Sequence, residues 1–461
     1  MVKTHEIKPS VLKAYDIRGV VDKEITEVDA YFIGKGFGTI LRKRNLKSCV
    51  LGYDGRHTSV PYSKECARGM AECGINVIIV GLLPTPSVYF AMKNLNTDAG
   101  FIVSASHNPK EDNGFKMLTQ EGPFWGDDIQ EIGRLAKSGQ FIDGTGTITE
   151  NKNLRQDYIN FILKQFKGGK KNLNVVWDAG NGVVGAVLKD IISKLPGKQE
   201  TIFANVDGDF PNHHPDPSVA KNMVLLQKAV VDGKFDLGIA FDGDGDRIGV
   251  VDSTGFLLYG DQLELIFARD FLKTHKGEKV MNEVKASMVL YNDIKAHGGV
   301  PVMWKPGHSA QKSKMKADNI KLAGETSGHI YWAENHNFDD ALYSAIKLLN
   351  IMSNSEETVA DIIKSLPKTY STSEVRVTVG DERKFEIAKE LANKMEKEGK
   401  DFVGVDGVRC NLEEGWWLVR ASNTQPDITT RCEALSPEGL NIVKNDLANQ
   451  LKSLGVEIKF E

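Results

Sequence analysis

Five mostly apolar runs in this chain stop abruptly at a polar, glycine-rich loop. The runs and their loops are Val50–Tyr53 before 54–56, Phe101–Val103 before 104–109, Val175–Trp177 before 178–182, Leu237–Phe241 before 242–247 and Lys321–Ala323 before 324–329. Longer amphipathic stretches separate the runs, which is the pattern of an α/β protein with largely parallel strands. Because ligands bind beyond the carboxyl ends of such strands, function is expected in these loops.

The recurrence of this unit and the length of the chain both predict several domains. At 461 residues the chain is too long for one ordinary core. We expect three similar α/β domains, with mixed and largely parallel sheets, over residues 1–150, 151–254 and 255–367. Residues 368–461 alternate short strands with two helical stretches, which predicts a smaller C-terminal α+β domain. No sequence repeat is strong enough to prove that the α/β unit was duplicated.

Composition limits the classes of function. The 58 basic and 62 acidic residues leave a net charge of −4, which gives no electrostatic case for a nucleic-acid or acidic-lipid partner. The five cysteines include no C-x-x-C pair, which favours scattered reduced thiols over disulfides or a zinc site. The sequence shows neither the apolar core of a signal peptide nor a run long enough to span a bilayer. We therefore expect a cytoplasmic protein that is not a membrane protein.

The fourth loop carries the clearest metal-binding pattern. Asp242, Asp244 and Asp246 alternate with glycines, which let the backbone curl so that three carboxylates can converge on one cation. Oxygen ligands suit Mg²⁺, which keeps coordination positions for a phosphate oxygen. An EF-hand is the competing interpretation, but Arg247 stands where that motif needs glycine and Ser253 where it needs glutamate. A solvated acidic turn is the remaining alternative.

The second loop contains a candidate phosphate carrier. Ser106 is followed by His-Asn-Pro, and no G-x-S-x-G elbow surrounds it, which argues against a hydrolase nucleophile. Next to a bound cation, the Ser106 hydroxyl could carry a phosphoryl group whose charge the ion offsets. Lys116, further along the chain, could shuttle a proton or clamp a phosphate. Ordinary turn chemistry and a surface lysine are the simpler alternatives.

Near the C-terminus, a further loop carries donors suited to a phosphate dianion. Arg420 offers a planar guanidinium, and Ser422, Asn423 and Thr424 follow it directly. A plain β-turn explains this run of small polar residues equally well when it is taken without its context.

The fifth loop mixes the acceptor and donor groups that sugar hydroxyls need. These are Glu325, Ser327 and His329 in Gly-Glu-Thr-Ser-Gly-His. A loop-stabilising role is the alternative. Weaker signals of the same kind are Lys305–Ser309, which contains His308, and Tyr15–Gly19. Gly180–Gly185 matches the dinucleotide fingerprint G-x-G-x-x-G, but it is a lone match in the middle of the chain.

Together these loops resemble those of the α-D-phosphohexomutase superfamily, and most closely its bacterial phosphomannomutase/phosphoglucomutase branch. The motifs that carry the resemblance, in the family's order and spacing, are Tyr15–Gly19, Ser104–Pro109, Asp242–Arg247, Gly324–His329 and Arg420–Pro426. The resemblance covers essentially the whole chain. It implies four domains around a central cleft, each giving one loop, and we expect a monomer or weak dimer.

The resemblance also implies a role for each matched residue. Ser106 becomes the phosphoserine and joins Asp242, Asp244 and Asp246 around one Mg²⁺, while Lys116 and Arg247 complete the catalytic set. The implied substrate-binding residues are Tyr15, Arg18, Lys285, His308, Glu325, Ser327, His329, Arg420, Ser422, Asn423 and Thr424.

The implied reaction is the interconversion of hexose 1-phosphate and hexose 6-phosphate, with mannose, glucose or both. A hexose 1,6-bisphosphate is the intermediate and the activator. Thr326 stands where this branch often has Met and glucosamine-specific relatives usually have Gln, so a phosphoglucosamine mutase is an alternative. The rivals from other classes are an aspartyl-phosphate hydrolase with Asp242 as nucleophile and a non-catalytic calcium- or sugar-binding module.

Overall fold

The first domain is built around a seven-stranded sheet. Its elements are β1 (Ile17–Val20), α1 (Glu27–Lys43), β2 (Ser48–Tyr53), α2 (Ser59–Ala71), β3 (Asn76–Leu82), α3 (Thr85–Asn94), β4 (Ala99–Val103), β5 (Asp112–Thr119), β6 (Gly122–Pro123), α4 (Asp127–Ser138) and β7 (Ile148–Glu150). The strand order is β1-β5-β4-β2-β3-β7, with β6 beside β5. Strands β4, β2, β3 and β7 are parallel, whereas β5 is antiparallel to β4. This is a computed structural model that describes residues 3–422 and 425–460.

The second domain repeats the central part of this plan on five strands. Its elements are α5 (Leu154–Gln165), β8 (Val175–Asp178), α6 (Gly185–Ile192), β9 (Gln199–Ile202), α7 (Ala220–Gly233), β10 (Leu237–Phe241), β11 (Ile248–Asp252) and β12 (Leu257–Leu258). The strand order is β12-β11-β10-β8-β9. Because β12 pairs with β11, we propose that this domain extends through Leu258 and does not end at residue 254. The other boundaries expected from the sequence stay predictions.

The third domain also has a five-stranded sheet, in the order β14-β13-β15-β16-β17. Its elements are α8 (Gly260–Thr274), β13 (Lys279–Glu283), α9 (Met288–Ala296), β14 (Val300–Trp304), α10 (His308–Asp318), β15 (Leu322–Gly324), β16 (Ile330–Trp332), β17 (Phe338–Asp339), α11 (Ala341–Asn354) and α12 (Val359–Ser365). As in the other two domains, the third of the parallel strands along the chain is followed by an antiparallel partner.

The C-terminal domain has a different architecture, with six strands paired only in antiparallel fashion and two helices. Its elements are β18 (Tyr370–Ser371), β19 (Val375–Thr378), α13 (Arg383–Lys397), β20 (Phe402–Val403), β21 (Val408–Asn411), β22 (Gly415–Ala421), β23 (Asp427–Ala434) and α14 (Pro437–Lys452). The predicted fold class, three similar α/β domains and a smaller α+β domain, is confirmed.

Apolar packing joins the three α/β domains, and a smaller cluster of Val284, Trp416 and Leu418 joins the third domain to the fourth. One buried cluster draws side chains from all three, for example Val50, Trp177 and Phe267. The C-terminal domain has its own cluster around Trp417 and Leu447. Across residues 3–422 and 425–460, no helix is both long and apolar enough to cross a membrane.

Candidate functional site

Three of the predicted loops occupy the same place in three sheets. The Ser106 loop joins β4 to β5, the loop of three aspartates joins β10 to β11, and the Glu325 loop joins β15 to β16. Each loop leaves the carboxyl end of the third parallel strand and returns as its antiparallel neighbour. The shared topology therefore presents one loop from each α/β domain at the functional edge of its sheet.

The Ser106 and aspartate loops meet directly. Ser106 Oγ donates to Asp242 Oδ2 at 2.6 Å, and it also lies 3.0 Å from His107 Nδ1. The loops approach so closely that a Cβ on Gly243 would lie 2.3 Å from the carbonyl oxygen of Ser106. Glycine at 243 is therefore needed for this approach as well as for loop flexibility.

Arg56 organises the Ser106 loop, a role that sequence analysis did not predict. Its guanidinium is buried and donates to the carbonyl oxygens of Ser106, Asn108, Pro109 and Asp112 at 2.6–2.9 Å. These bonds hold Ser106 in the left-handed region, at φ 54°, which a non-glycine residue adopts only at a cost. The one signal in the sequence was the position of Arg56 just beyond the end of β2.

The three aspartates form a buried cluster in which one carboxylate oxygen from each lies within 4.8 Å of the other two. Asp242 Oδ1 accepts from the backbone N–H groups of Gly245, Asp246 and Arg247 at 2.9–3.1 Å. The Oδ1 atoms of Asp244 and Asp246 are buried and have no hydrogen-bond partner among the described residues. Unpartnered carboxylate oxygens in such a cluster fit a hard divalent cation.

Lys116 brings positive charge to this cluster. Its Nζ donates to Asp244 Oδ2 at 2.7 Å and to Asp246 Oδ2 at 2.6 Å. Thr85 Oγ1, which sequence analysis missed, donates to the same oxygen of Asp244 at 2.6 Å. Thr85 begins helix α3 and belongs to no motif, so no local pattern could have indicated it.

Burial and charge act in opposite directions on these groups. Burial would lower the pKa of Lys116, but Asp244 and Asp246 outweigh burial and hold that pKa above its ordinary value. Burial and Asp246 would raise the pKa of Asp244, yet Lys116 holds it below the usual range. Burial, then the charges of Asp246 and Asp244, raise the pKa of Asp242 well above that range.

Arg247 connects the aspartate loop to the third domain. Its Nε donates to His329 Nε2 at 3.0 Å, so that nitrogen is an acceptor and the ring proton lies on Nδ1. His329 Nδ1 is 3.0 Å from Asp339 Oδ2, and Asp339 is fully buried. His308 lies beside His329, with ring centroids 6.3 Å apart, and burial followed by the charge of Lys312 lowers its pKa well below the usual range. The short strand that contains Asp339 gave no sequence signal.

In the Glu325 loop, the Glu325 carboxylate accepts hydrogen bonds from its surroundings, whereas the Ser327 hydroxyl makes none within the described residues. Glu325 Oε2 accepts from the backbone N–H of Gly307 at 3.2 Å, and its Oε1 accepts from the Tyr331 hydroxyl. Ser327 Oγ is buried and has no hydrogen-bond partner among the described residues. Ser327 therefore keeps its hydroxyl available for a ligand, and Glu325 is held in place by two donors.

The two residues predicted near the N-terminus take different positions. Arg18 donates to Asp16, to the carbonyl of Ala105 and to Asn108 Oδ1 at 2.7–3.1 Å, and so braces the Ser106 loop. Tyr15 packs against Gly307, where an added Cβ would lie 2.9 Å from its ring. The structure thus brings Tyr15 to the third domain and Arg18 to the first.

The loop of the C-terminal domain faces the same region. Arg420 Nε lies 2.6 Å from Asp406 Oδ2. Burial, and then the charge of Asp406, raise the pKa of Tyr15, while Arg420 acts in the opposite direction. Ser422 N donates to the carbonyl of Asp427 at 2.9 Å. Of the predicted phosphate-binding residues, Asn423 and Thr424 lie outside the described residues.

The C-terminal domain docks on the third domain through a buried arginine. Arg409 Nη1 donates to the carbonyls of Val284 and Ala286 at 2.7 and 2.6 Å, and its guanidinium stacks 3.7 Å from the Trp416 ring. Glu433 Oε1 accepts from the Met288 backbone N–H at 2.9 Å. These contacts fix the segment that follows β13, which contains Lys285.

A serine hydroxyl beside three buried carboxylates, with basic side chains around them, defines the class of metal-dependent phosphoryl-transfer sites on α/β domains. Four family models, all described as phosphoglucomutase/phosphomannomutase, match the chain in order. They are alpha/beta/alpha domains I, II and III at residues 10–143, 156–255 and 259–370, and the C-terminal domain at 374–450. The chain belongs to this family, as its motifs predicted.

Individual relatives match over nearly the whole chain. The phosphomannomutase/phosphoglucomutase of Pseudomonas aeruginosa is 37% identical over 456 residues, which covers 98% of this chain and 97% of that protein. A phosphoglucomutase of Neisseria gonorrhoeae is 38% identical, with 95% and 96% covered. A crystal structure of a phosphoglucomutase/phosphomannomutase family protein from Burkholderia thailandensis superimposes with a TM-score of 0.92 at 32% identity, covering 98% of this chain and 99% of that one.

Proposed function

We propose that this chain interconverts the 1-phosphate and 6-phosphate of mannose, glucose or both, with Ser106 as the phosphate carrier. The reaction class follows from family membership: the chain is a hexose phosphate mutase and therefore an isomerase. The observation that best supports the carrier is the 2.6 Å hydrogen bond from Ser106 Oγ to Asp242 inside the aspartate cluster. We also assign a hexose 1,6-bisphosphate as intermediate and activator, because Ser106 must be phosphorylated before the first turnover.

Mg²⁺ would be held by Asp242, Asp244 and Asp246 together with the phosphate on Ser106. The unpartnered Oδ1 atoms of Asp244 and Asp246 and the all-oxygen donor set fit this ion. When bound, the ion would offset charge on the transferring phosphoryl group. With it in place, the aspartates would depend less on Lys116 for their countercharge.

The first chemical step passes the phosphoryl group from Ser106 to the sugar. The bond between phosphorus and Ser106 Oγ breaks, and a bond forms from phosphorus to the free hydroxyl oxygen of the substrate. One proton must move from that hydroxyl to Ser106 Oγ. We assign this transfer to Lys116, whose ammonium group lies within the same cluster and would give a proton to Ser106 Oγ while taking up the one that leaves the substrate hydroxyl. Arg247, held by His329, would place positive charge beside the transferring group.

The second step needs the bisphosphate to turn over in the cleft and return its other phosphate to Ser106. Either end of the sugar must then fit the distal phosphate site, for which we propose Arg420 and Ser422–Thr424. Glu325, Ser327, His308 and His329 would bind the sugar hydroxyls, with Lys285, Tyr15 and Arg18 completing the cleft. Because each domain supplies one element, catalysis depends mostly on positioning.

We propose that the protein is a monomer or weak dimer in the cytoplasm. The five cysteines are free and buried, which supports a reducing compartment. Light scattering after size exclusion would test the oligomeric state.

Initial rates test the proposal directly. The 1-phosphates of mannose, glucose and glucosamine should be assayed with Mg²⁺ and a trace of glucose 1,6-bisphosphate, following both the 6-phosphate and free phosphate. We expect 6-phosphate from mannose or glucose and no release of phosphate. Preference for glucosamine would revise the sugar, and phosphate release without isomerisation would favour the aspartyl-phosphate hydrolase.

A further inference from the structure

A fully buried carboxylate lies directly behind the Glu325 loop. Glu283 is the last residue of β13, at the carboxyl end of a central strand of the third sheet. Its Oε1 accepts twice from Thr326, at 3.2 Å from the backbone N–H and at 2.5 Å from Oγ1. Its Oε2 is buried, has no hydrogen-bond partner in the described chain, and faces Lys285 Nζ at 3.5 Å.

From these contacts we propose that Glu283 is a positioning residue that holds the sugar-binding loop and Lys285 in register with each other. The inference rests on the proposed function, because it takes the Glu325 loop as the sugar site. Thr326 stands between Glu325 and Ser327, so anchoring Thr326 fixes the residue on each side. One carboxylate therefore orients both the loop and the nearby lysine.

The hydrogen bond to Glu283 also determines how the Thr326 side chain can affect sugar binding. Its hydroxyl is committed to Glu283, so it acts on sugar binding through the position of the loop. The backbone around Glu283 is itself rigid, because its N–H donates to Asn282 Oδ1 at 2.6 Å and its carbonyl accepts from the Tyr291 hydroxyl at 2.7 Å. Because the Glu283 backbone is rigid, its carboxylate can hold Thr326 in a fixed position. A mobile carboxylate on the surface could not do so.

The chain offers a matched control for this contact. Thr254, in the turn after β11, also donates twice to one carboxylate oxygen, from its N–H at 2.8 Å and from Oγ1 at 2.6 Å to Asp252 Oδ1. That turn lies at the end of β11 opposite the aspartate loop. Thr254→Val removes the same kind of hydrogen bond as Thr326→Val without touching the sugar loop.

The first experiment compares KM and kcat for Thr326→Val, Thr326→Ser and Thr254→Val. The loop would bind the sugar in ground and transition states alike, so its loss should raise KM and spare kcat. We expect Thr326→Val to raise KM for the hexose 1-phosphate about five- to tenfold, with kcat changed less than about twofold. Thr326→Ser keeps the hydroxyl and should stay near wild type, as should Thr254→Val.

A second readout does not depend on activity. Amide hydrogen exchange of residues 324–329 should become faster in Thr326→Val and stay unchanged in Thr254→Val and Thr326→Ser. Glu283→Gln should raise KM further than Thr326→Val, because it also removes the charge that faces Lys285. If the wild-type protein isomerises no hexose phosphate, the proposed function is wrong. The hydrogen-exchange experiment still tests whether the contact between Glu283 and Thr326 holds the loop.

Three results would overturn the inference. The first is a Thr326→Val variant with wild-type KM. The second is a Thr326→Ser variant as impaired as Thr326→Val, because the hydroxyl would then not be the determinant. The third is an equal rise of KM in Thr254→Val, which would reduce the effect to a general loss of stability.

Discussion

Ser106 Oγ donates to Asp242 Oδ2 at 2.6 Å, although the two residues are 136 positions apart in the chain. The loops that carry them occupy equivalent places in two sheets with the same central strand order, and the packing of the first two domains brings these loops together.

Divalent-cation removal should abolish turnover, and Mg²⁺ should restore it. A phosphoserine beside three buried carboxylates would concentrate negative charge that Lys116 alone cannot offset. Asp244→Asn should raise the Mg²⁺ concentration for half-maximal rate by at least about tenfold. Asp232→Asn is the control, because Asp232 is exposed and pairs with Lys228 on helix α7, outside the cluster. Full activity in excess chelator would exclude the proposed metal role.

Arg420→Ala and Glu325→Ala should separate phosphate binding from sugar recognition. Loss of a charge-assisted contact to phosphate should cost about 2–3 kcal/mol, or roughly 30–150-fold in kcat/KM. Because both substrate orientations would use Arg420, the loss should be similar for both sugars and both reaction directions. Glu325→Ala should alter the preference between sugars.

For that comparison, Arg376→Ala is the control, since Arg376 lies in the same domain and is exposed beside Glu374. Damage from Arg420→Ala to one direction only would remove the basis for reorientation in the cleft.

Arg409→Met should loosen the docking of the C-terminal domain. The change keeps the volume of the side chain but leaves the carbonyls of Val284 and Ala286 without their donor, a loss of about 2–4 kcal/mol. Although burial lowers the pKa of Arg409 to about 10, the guanidinium is still charged at neutral pH. We expect faster proteolysis of the segment that joins the third and fourth domains and a lower kcat/KM. Arg376→Met should change neither, and unchanged proteolysis in Arg409→Met would contradict the docking role.

Asp340 should make stability depend on pH. Burial raises the pKa of this carboxyl from 3.8 to about 7, against the hydrogen bonds it accepts from Tyr343 N and Tyr158. Between these values the folded chain keeps a proton that the unfolded chain has released, so the free energy of unfolding falls as pH rises. The contribution is about 2–3 kcal/mol between pH 5 and pH 8.

Denaturant unfolding at several pH values checks this prediction. Asp340→Asn cannot ionise, so its stability relative to wild type should improve steadily from pH 5 to pH 8. Parallel stability curves for the two proteins would show that the carboxyl does not titrate as described.

The sequence was sufficient for the fold class and for the loops because both depend on local pattern. A buried run such as Leu237–Phe241, followed at once by alternating aspartates, identifies a central strand and its carboxyl end. The strand order that the three α/β domains share could not be predicted from the sequence, because the three domains have the same topology without a recognisable sequence repeat.

Residues that act by supporting others were missed for a physical reason. Arg56 and Arg409 serve backbone carbonyls, and any backbone offers those, so no partner can be recognised from the sequence. Thr85 reaches Asp244 only because the first and second domains pack together, and Asp339 reaches His329 through strand pairing in the third sheet. Patterns of spacing reveal groups that converge within one loop and not those brought in by tertiary contacts.

The identity of the phosphate carrier is the central claim, and mass analysis tests it most directly. Wild-type protein incubated with glucose 1,6-bisphosphate and Mg²⁺ should gain one phosphate, mapping to Ser106 after proteolysis. On dilution into glucose 1-phosphate, that phosphate should leave as product appears, and Ser106→Ala should remain folded, unlabelled and inactive. A phosphate found on Asp242, or full mutase activity in Ser106→Ala, would contradict the account.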